Sequence, residues 1–78
     1  MENLLKERLK GYVNICCNLF KTNNSRLGLF YLGKAEAIYD TLLVETGGEC
    51  ESWKELFESL KNEEYKDITC ENIYRFMF

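Results

Sequence analysis

The chain has 78 residues, of which 46% are hydrophobic and 14% aromatic, and its formal net charge is −3. This composition excludes a disordered chain and supports a compact fold. Because a chain of this length seldom supports two cores, residues 1–78 are expected to form one domain. The sequence contains no histidine, so the commonest general base and metal ligand is absent.

The start of the chain does not resemble a targeting segment. The first ten residues, MENLLKERLK, mix acidic and basic side chains and lack the apolar stretch that a secretory signal needs. No run in the chain approaches the roughly 20 apolar residues of a transmembrane helix. We therefore expect a cytoplasmic protein without membrane contact, whose four cysteines stay reduced.

The first predicted helix covers residues 3–21. Its apolar side chains recur with the 3.6-residue period of a helix: Leu5, Leu9, Tyr12, Cys16 and Leu19 or Phe20. Gly11 inside this helix indicates a close helix crossing at that point. The turn formers of KTNNS end the helix, and Asn24 or Ser25 is expected to cap the next one.

The second segment, over about residues 26–45, is ambiguous. Helical spacing relates Leu27, Tyr31, Ala35, Ile38 and Leu42. Gly28 and Gly33 are poor helix residues, however, and LGLFYL at residues 27–32 could form a short buried strand. A single strand would leave its backbone groups unpaired. We therefore predict a helix, irregular near the two glycines, that ends at Gly47 or Gly48.

The clearest helix pattern is ESWKELFESLKN, where Ser52 and Glu55 have the spacing of a capping box. EEYKD is predicted to be a connector, and a last helix is predicted to begin near Asp67 or Thr69 and to continue to the chain end. The predicted fold is therefore all-α, a small four-helix domain with one core. The alternative is an α+β fold with a short strand over residues 27–32.

The four cysteines lack the spacing of a metal site. Adjacent residues on a helix point about 100° apart, so Cys16 and Cys17 cannot readily bind one ion. Zinc sites use cysteines separated by two to four other residues, alone or together with histidine. No metal or other cofactor is therefore predicted, and Cys16 and Cys17 are interpreted as small core residues.

Neither catalysis nor nucleic-acid binding is predicted. The serines lie in no nucleophile motif and the glycines form no phosphate-binding loop, so we expect a protein that is not an enzyme. Residues 1–34 contain six basic and two acidic residues, net +4, whereas residues 35–78 contain four basic and eleven acidic residues, net −7. Because only the first helix and its loop, with Lys6, Lys10, Lys21 and Arg26, carry net positive charge, direct nucleic-acid binding is not expected.

The chain end indicates a protein partner. In IYRFMF only Arg75 is charged. Ile73, Phe76 and Met77 fit the face that turns to the core, whereas Tyr74 and Phe78 form a second apolar face one turn apart. We therefore predict an interaction protein that associates with itself as a homodimer, through the second helix and the chain end.

An acidic surface gives the alternative function. Residues 45–71 contain nine acidic residues, which we call the acidic run: Glu45, Glu49, Glu51, Glu55, Glu58, Glu63, Glu64, Asp67 and Glu71. Glu51, Glu55 and Glu58 share one side of the third helix, where they are candidate partner-binding residues. The alternative is an acidic inhibitor or regulator that occupies a nucleic-acid-binding site on another protein. The short chain without catalytic motifs is compatible with a small accessory protein of bacterial or phage origin.

Overall fold

A computed structural model describes the backbone of residues 1–77 and the side chains of residues 1–75. This part of the chain forms four α-helices and one 3-10 turn, and it contains no strand. The helices are α1 (Glu2–Lys21), α2 (Ser25–Glu45), α3 (Trp53–Leu60) and α4 (Cys70–Met77), and the 3-10 turn is Glu63–Tyr65. The predicted all-α fold is confirmed, and the alternative strand over residues 27–32 is wrong because those residues lie within α2.

The helices α1 and α2 form an antiparallel hairpin with a three-residue connection. Asn23 takes a φ of 62°, a left-handed conformation that asparagine tolerates better than most residues. The Asn24 N–H donates to the Leu19 carbonyl at 2.8 Å, which closes the end of α1. Asn24 is the N-cap residue of α2 by position, but its side chain makes no capping hydrogen bond. The predicted side-chain cap at this helix start is therefore wrong for Asn24.

The close helix approach is at Gly28, not at Gly11 as the sequence indicated. A Cβ atom on Gly28 would lie 2.9 Å from two ring carbons of Phe20, whereas one on Gly11 would have no atom within 4 Å. Gly28 therefore lets the Phe20 ring of α1 lie directly against the α2 backbone. The predicted irregularity near Gly28 and Gly33 is absent, since α2 is helical throughout both positions.

This packing gives a test with a matched pair of variants. Gly33→Ala is expected to stabilise the protein by up to about 1 kcal/mol, because alanine is the better helix former and no atom lies within 4 Å of the new Cβ. Gly28→Ala is expected to be less stable than wild type, because the Phe20 ring has to move. Urea unfolding measures both values. If Gly28→Ala were as stable as Gly33→Ala, the close contact would be contradicted.

The second half of the chain covers one side of the hairpin. The helix α3 contacts α1, and α4 contacts both α2 and α3. Ser52 accepts a hydrogen bond from the Glu55 N–H at 3.2 Å, which confirms the Ser52 half of the predicted capping box. Gly47 and Gly48 both have positive φ, as predicted for the end of α2. The predicted connector EEYKD contains the 3-10 turn, which Asn62 caps by accepting from the Glu64 N–H at 3.0 Å.

One hydrophobic core joins all of these elements. Its buried side chains are Leu9, Val13, Cys16, Cys17, Leu32, Ala35, Leu42, Leu56, Phe57, Tyr65, Ile68, Cys70 and Ile73. Leu9, Cys16, Ala35 and Leu42 were expected on core faces, but Leu27 of the predicted α2 stripe is exposed. The core-facing side of α2 is therefore centred on Gly28, Leu32, Ala35 and Leu42. Among the helices within residues 1–77, none is long and apolar enough to cross a membrane.

Candidate functional site

One side of the α1–α2 hairpin carries exposed apolar side chains. Leu4 and Ile15 of α1 are 55% and 43% exposed, and Leu27 and Phe30 of α2 are 42% and 57% exposed. Helical spacing places each pair on one side of its helix. We name this surface the open face, defined by Leu4, Arg8, Gly11, Tyr12, Ile15, Leu27, Phe30, Tyr31 and Lys34.

Aromatic rings join the two helices across the open face. The Tyr12 and Tyr31 ring centroids are 5.9 Å apart, and the Phe30 ring meets the Tyr31 ring edge-on at 5.4 Å. The Lys34 ammonium nitrogen lies 5.1 Å from the Phe30 centroid, 5.7 Å from that of Tyr12 and 6.0 Å from that of Tyr31. These are distances of cation–π attraction, so Lys34 is held over the rings.

A shallow groove of about 330 Å³ runs along the α1 side of the open face. It is lined by Arg8, Gly11, Tyr12 and Ile15, which follow one another at the three- and four-residue spacing of a helix face. Gly11 contributes no side chain, which deepens the groove in the middle. Among the described residues, no carboxylate lies within 4.0 Å of the charged groups of Arg8 or Lys34. The groove is therefore mostly apolar, with the unpaired positive charge of Arg8 in its lining and that of Lys34 nearby.

The chain-end residues predicted to bind a partner can be placed only in part. Tyr74 is half-buried against the core, and burial, with Cys70 and Glu36 nearby, raises the pKa of its hydroxyl to about 12. Glu36 and Tyr39 of α2 lie near the Tyr74 hydroxyl, so Tyr74 lies beside α2. Part of the ring that was predicted to contact a partner is therefore covered within the domain. Phe78 lies outside the described residues, so the apolar face that it was expected to form with Tyr74 stays a prediction.

The three predicted acidic partner residues differ in their surroundings. Glu51 and Glu55 are exposed at the start of α3, where the Glu51 carbonyl accepts a hydrogen bond from the Tyr39 hydroxyl at 2.8 Å. Glu58 has internal partners: its Oε2 is 2.8 Å from the Lys61 ammonium, and its Oε1 accepts from the Cys70 N–H at 3.4 Å. Glu58 therefore links α3 to α4, whereas the carboxylates of Glu51 and Glu55 form no ion pair among the described residues.

Two further carboxylates of the acidic run are paired on the surface. Lys54 bridges to Glu71 at 3.2 Å, and Lys66 bridges to Glu63 at 2.6 Å. These exposed pairs stabilise the fold little, but they lower the negative charge that a basic partner would meet. The acidic surface therefore contains positive charges, those of Lys54 and Lys66, and is less negative than the sequence alone indicates.

No protein-family model, curated protein or solved structure matches this chain. Function therefore has to be argued from the chemistry of its own surfaces. The open face is the one that sequence reasoning missed, since Leu4, Ile15 and Phe30 were assigned to no role. The available signal was the spacing of Leu4, Gly11 and Ile15, which form a second stripe of apolar or small residues on α1 beside the core stripe.

Three of the four thiols lie in the core. Cys16, Cys17 and Cys70 are buried, which confirms the prediction that Cys16 and Cys17 are core residues. Burial raises the thiol pKa to about 12 for Cys16 and for Cys17, and to about 11 for Cys70. No group of three or more potential ligand side chains in the described part of the chain is arranged to hold a metal ion. Cys50 is half-buried in the loop before α3.

Thiol labelling tests this burial. With a disulfide reagent at pH 8, one thiol of the four is expected to react quickly, and Cys50→Ser is expected to remove that fast phase. The other three should react only as fast as the protein opens, because the thiolate is the reactive form and burial opposes it. Stopped-flow absorbance gives the number of fast thiols. Two or more fast thiols in the native protein would contradict the core placement.

Proposed function

We propose that this protein is a non-enzymatic interaction protein that binds another protein chain through the open face. The observation that carries the proposal is the exposure of Ile15, Leu27 and Phe30 beside the paired Tyr12 and Tyr31 rings, with Leu4 exposed about two turns further along α1. Single exposed apolar residues are ordinary, but several on one side of a pair of helices are typical of a binding surface. Aromatic residues and arginine, both present here, are also the residue types most enriched in interface centres.

The acidic inhibitor or regulator is the second candidate. Glu51 and Glu55 favour it, since both are exposed and form no ion pair among the described residues. Against it, Glu58, Glu63 and Glu71 each have a lysine partner. Among the large apolar side chains that are exposed in the described part of the chain, four lie on the open face, whereas Leu43 and Val44 alone adjoin the acidic residues. Because apolar burial supplies most of the affinity in protein association, the open face is the better supported site.

A homodimer is one form that this function can take, with a second copy on the open face. A two-fold dimer brings the same patch of both copies together, so the second copy would add the two cations of its own open face against one adjoining carboxylate, that of Glu7. Like charges across an interface oppose association. The charges therefore favour a foreign partner on this face, and the homodimer through the chain end stays a prediction. Light scattering at low and high micromolar concentration is expected to give the same mass for wild type and for Phe30→Asp, because a dimer through the chain end does not use the open face.

Selection from a library of helical peptides tests the proposed function without a known partner. The immobilised wild-type protein is expected to enrich peptides that bind the Phe30→Asp variant at least tenfold more weakly, which corresponds to a loss of about 1.4 kcal/mol. Val44→Asp is the matched control, because Val44 is 80% exposed but lies fourteen residues further along α2. Peptides that bind Phe30→Asp as tightly as wild type would place the binding site elsewhere.

A further inference from the structure

Resting on the proposed function, we infer that the open face binds an amphipathic helix of another protein that carries carboxylates beside its apolar stripe. The partner is thus an acidic amphipathic helix, identified by the shape of the groove and by the charges that flank it. A nucleic acid lacks the apolar stripe, and the acidic amphipathic helix of a second copy, α3, has its apolar residues Leu56 and Phe57 buried in its own core.

The shape of the groove fits a helix. Its lining residues Arg8, Gly11, Tyr12 and Ile15 run along α1 at i, i+3, i+4 and i+7. The apolar part of the face on α1 extends from Leu4 to Ile15, about 16 Å along the helix axis and about three turns. An amphipathic helix of three to four turns presents apolar anchors at the same spacing, which is how helices bind in grooves between other helices.

The charges of the face determine the sign of the partner. Arg8 lines the groove, Lys34 lies over the rings, and neither has a carboxylate within 4.0 Å among the described residues. A partner that covers the face takes both cations partly out of water, which is costly unless opposite charge replaces the water. Carboxylates on the partner helix supply that charge and make hydrogen bonds of the strong, charge-assisted kind.

The apolar side chains exclude the other sources of negative charge. A nucleic acid would contact Arg8 and Lys34 with phosphates but would leave Leu4, Ile15 and Leu27 without apolar contacts. Specific nucleic-acid sites use many cations, whereas the open face has two. An acidic amphipathic helix makes both kinds of contact. Its apolar stripe covers Leu4, Ile15 and Leu27, and its carboxylates reach Arg8 and Lys34.

The composition of the selected peptides gives the first test. Peptides that depend on Phe30 are expected to be enriched in Asp and Glu at positions flanking the apolar stripe, relative to the unselected library. Peptides that depend on Phe30 but show no acidic enrichment would overturn this inference and leave the proposed function standing. If no selected peptide depended on Phe30, both would fail. A stable homodimer that Phe30→Asp dissociates would assign the face to a second copy and would overturn the acidic partner.

A charge-reversal pair gives the second test, with one selected peptide and fluorescence anisotropy. Arg8→Glu is expected to raise the dissociation constant at least tenfold, and a peptide with lysine in place of its glutamates is expected to recover part of this loss. Lys10→Glu is the matched control: it makes the same charge change on the same helix, but Lys10 is exposed outside the open face. An equal loss for Lys10→Glu would mean a general charge effect and would overturn the inference. Circular dichroism confirms that each variant is folded.

Discussion

Phe57→Ala is expected to leave the protein largely unfolded at room temperature. Phe57 is fully buried between α3 and the hairpin, and its ring meets that of Trp53 edge-on at 5.6 Å. Removing a buried phenylalanine side chain costs about 3–5 kcal/mol, through lost burial and the cavity that remains. The single core of a domain this small supplies only about 3–5 kcal/mol of net stability. The loss is therefore comparable with the whole free energy of unfolding.

Phe30→Ala is the control for this variant. It removes the same atoms from a side chain that is mostly exposed, so its expected cost is below about 1 kcal/mol. Urea unfolding followed by circular dichroism gives both values, and Phe57→Ala should lack a folded baseline. A folded Phe57→Ala with a loss below about 1.5 kcal/mol would show that the core can collapse around the missing ring or draws its stability from elsewhere.

Helix α3 shows what could be predicted from the sequence alone. Its apolar residues Trp53, Leu56 and Phe57 follow a single clear period, and Ser52 marks its start, so local signals and tertiary packing agree. The same agreement holds for the left-handed glycines that end α2. Where capping, turn chemistry and periodicity give one answer, the element can be located to within one or two residues.

Helix α2 shows why the rest could not be predicted. It is apolar on more than one side, so its period alone does not say which side turns inward. Ala35 and Leu42 belong both to the predicted stripe and to the observed core side, but the core side contains Gly28 and Leu32 in place of Leu27 and Tyr31. The core side of α2 is set by its packing against α1 and α4, which leaves Leu27 and Phe30 exposed. The open face thus depends on tertiary packing that the sequence does not display.

Glu58 shows the same limit for a charged residue. Its spacing from Glu51 and Glu55 groups the three carboxylates on one side of α3, and this grouping is all that the sequence displays. In the folded chain the Lys61 side chain is only 7% exposed, and its ammonium donates to the Ile68 carbonyl and pairs with Glu58. Glu58 therefore compensates a buried charge at the junction of α3 and α4, a role set by residues that follow it.

Glu58→Gln is accordingly expected to destabilise the protein by about 1–3 kcal/mol, because it leaves the Lys61 ammonium buried without its carboxylate. The loss should be smaller than for a fully buried pair, since the Glu58 side chain is 39% exposed. Glu63→Gln makes the same change in another i,i+3 pair with lysine, whose side chains are 74% and 86% exposed. Its expected cost is below about 0.5 kcal/mol, because exposed ion pairs contribute little.

Urea unfolding of the two variants separates the structural role of Glu58 from a role at the surface. A large loss for Glu58→Gln alone would assign Glu58 to the α3–α4 junction and leave Glu51 and Glu55 as the free carboxylates near the start of α3. Hydrogen exchange at the Cys70 amide should accelerate in the same variant, since Glu58 Oε1 accepts its hydrogen bond. If both variants lost the same small amount of unfolding free energy, Glu58 would act as an ordinary surface carboxylate. That result would support a basic partner on the acidic surface.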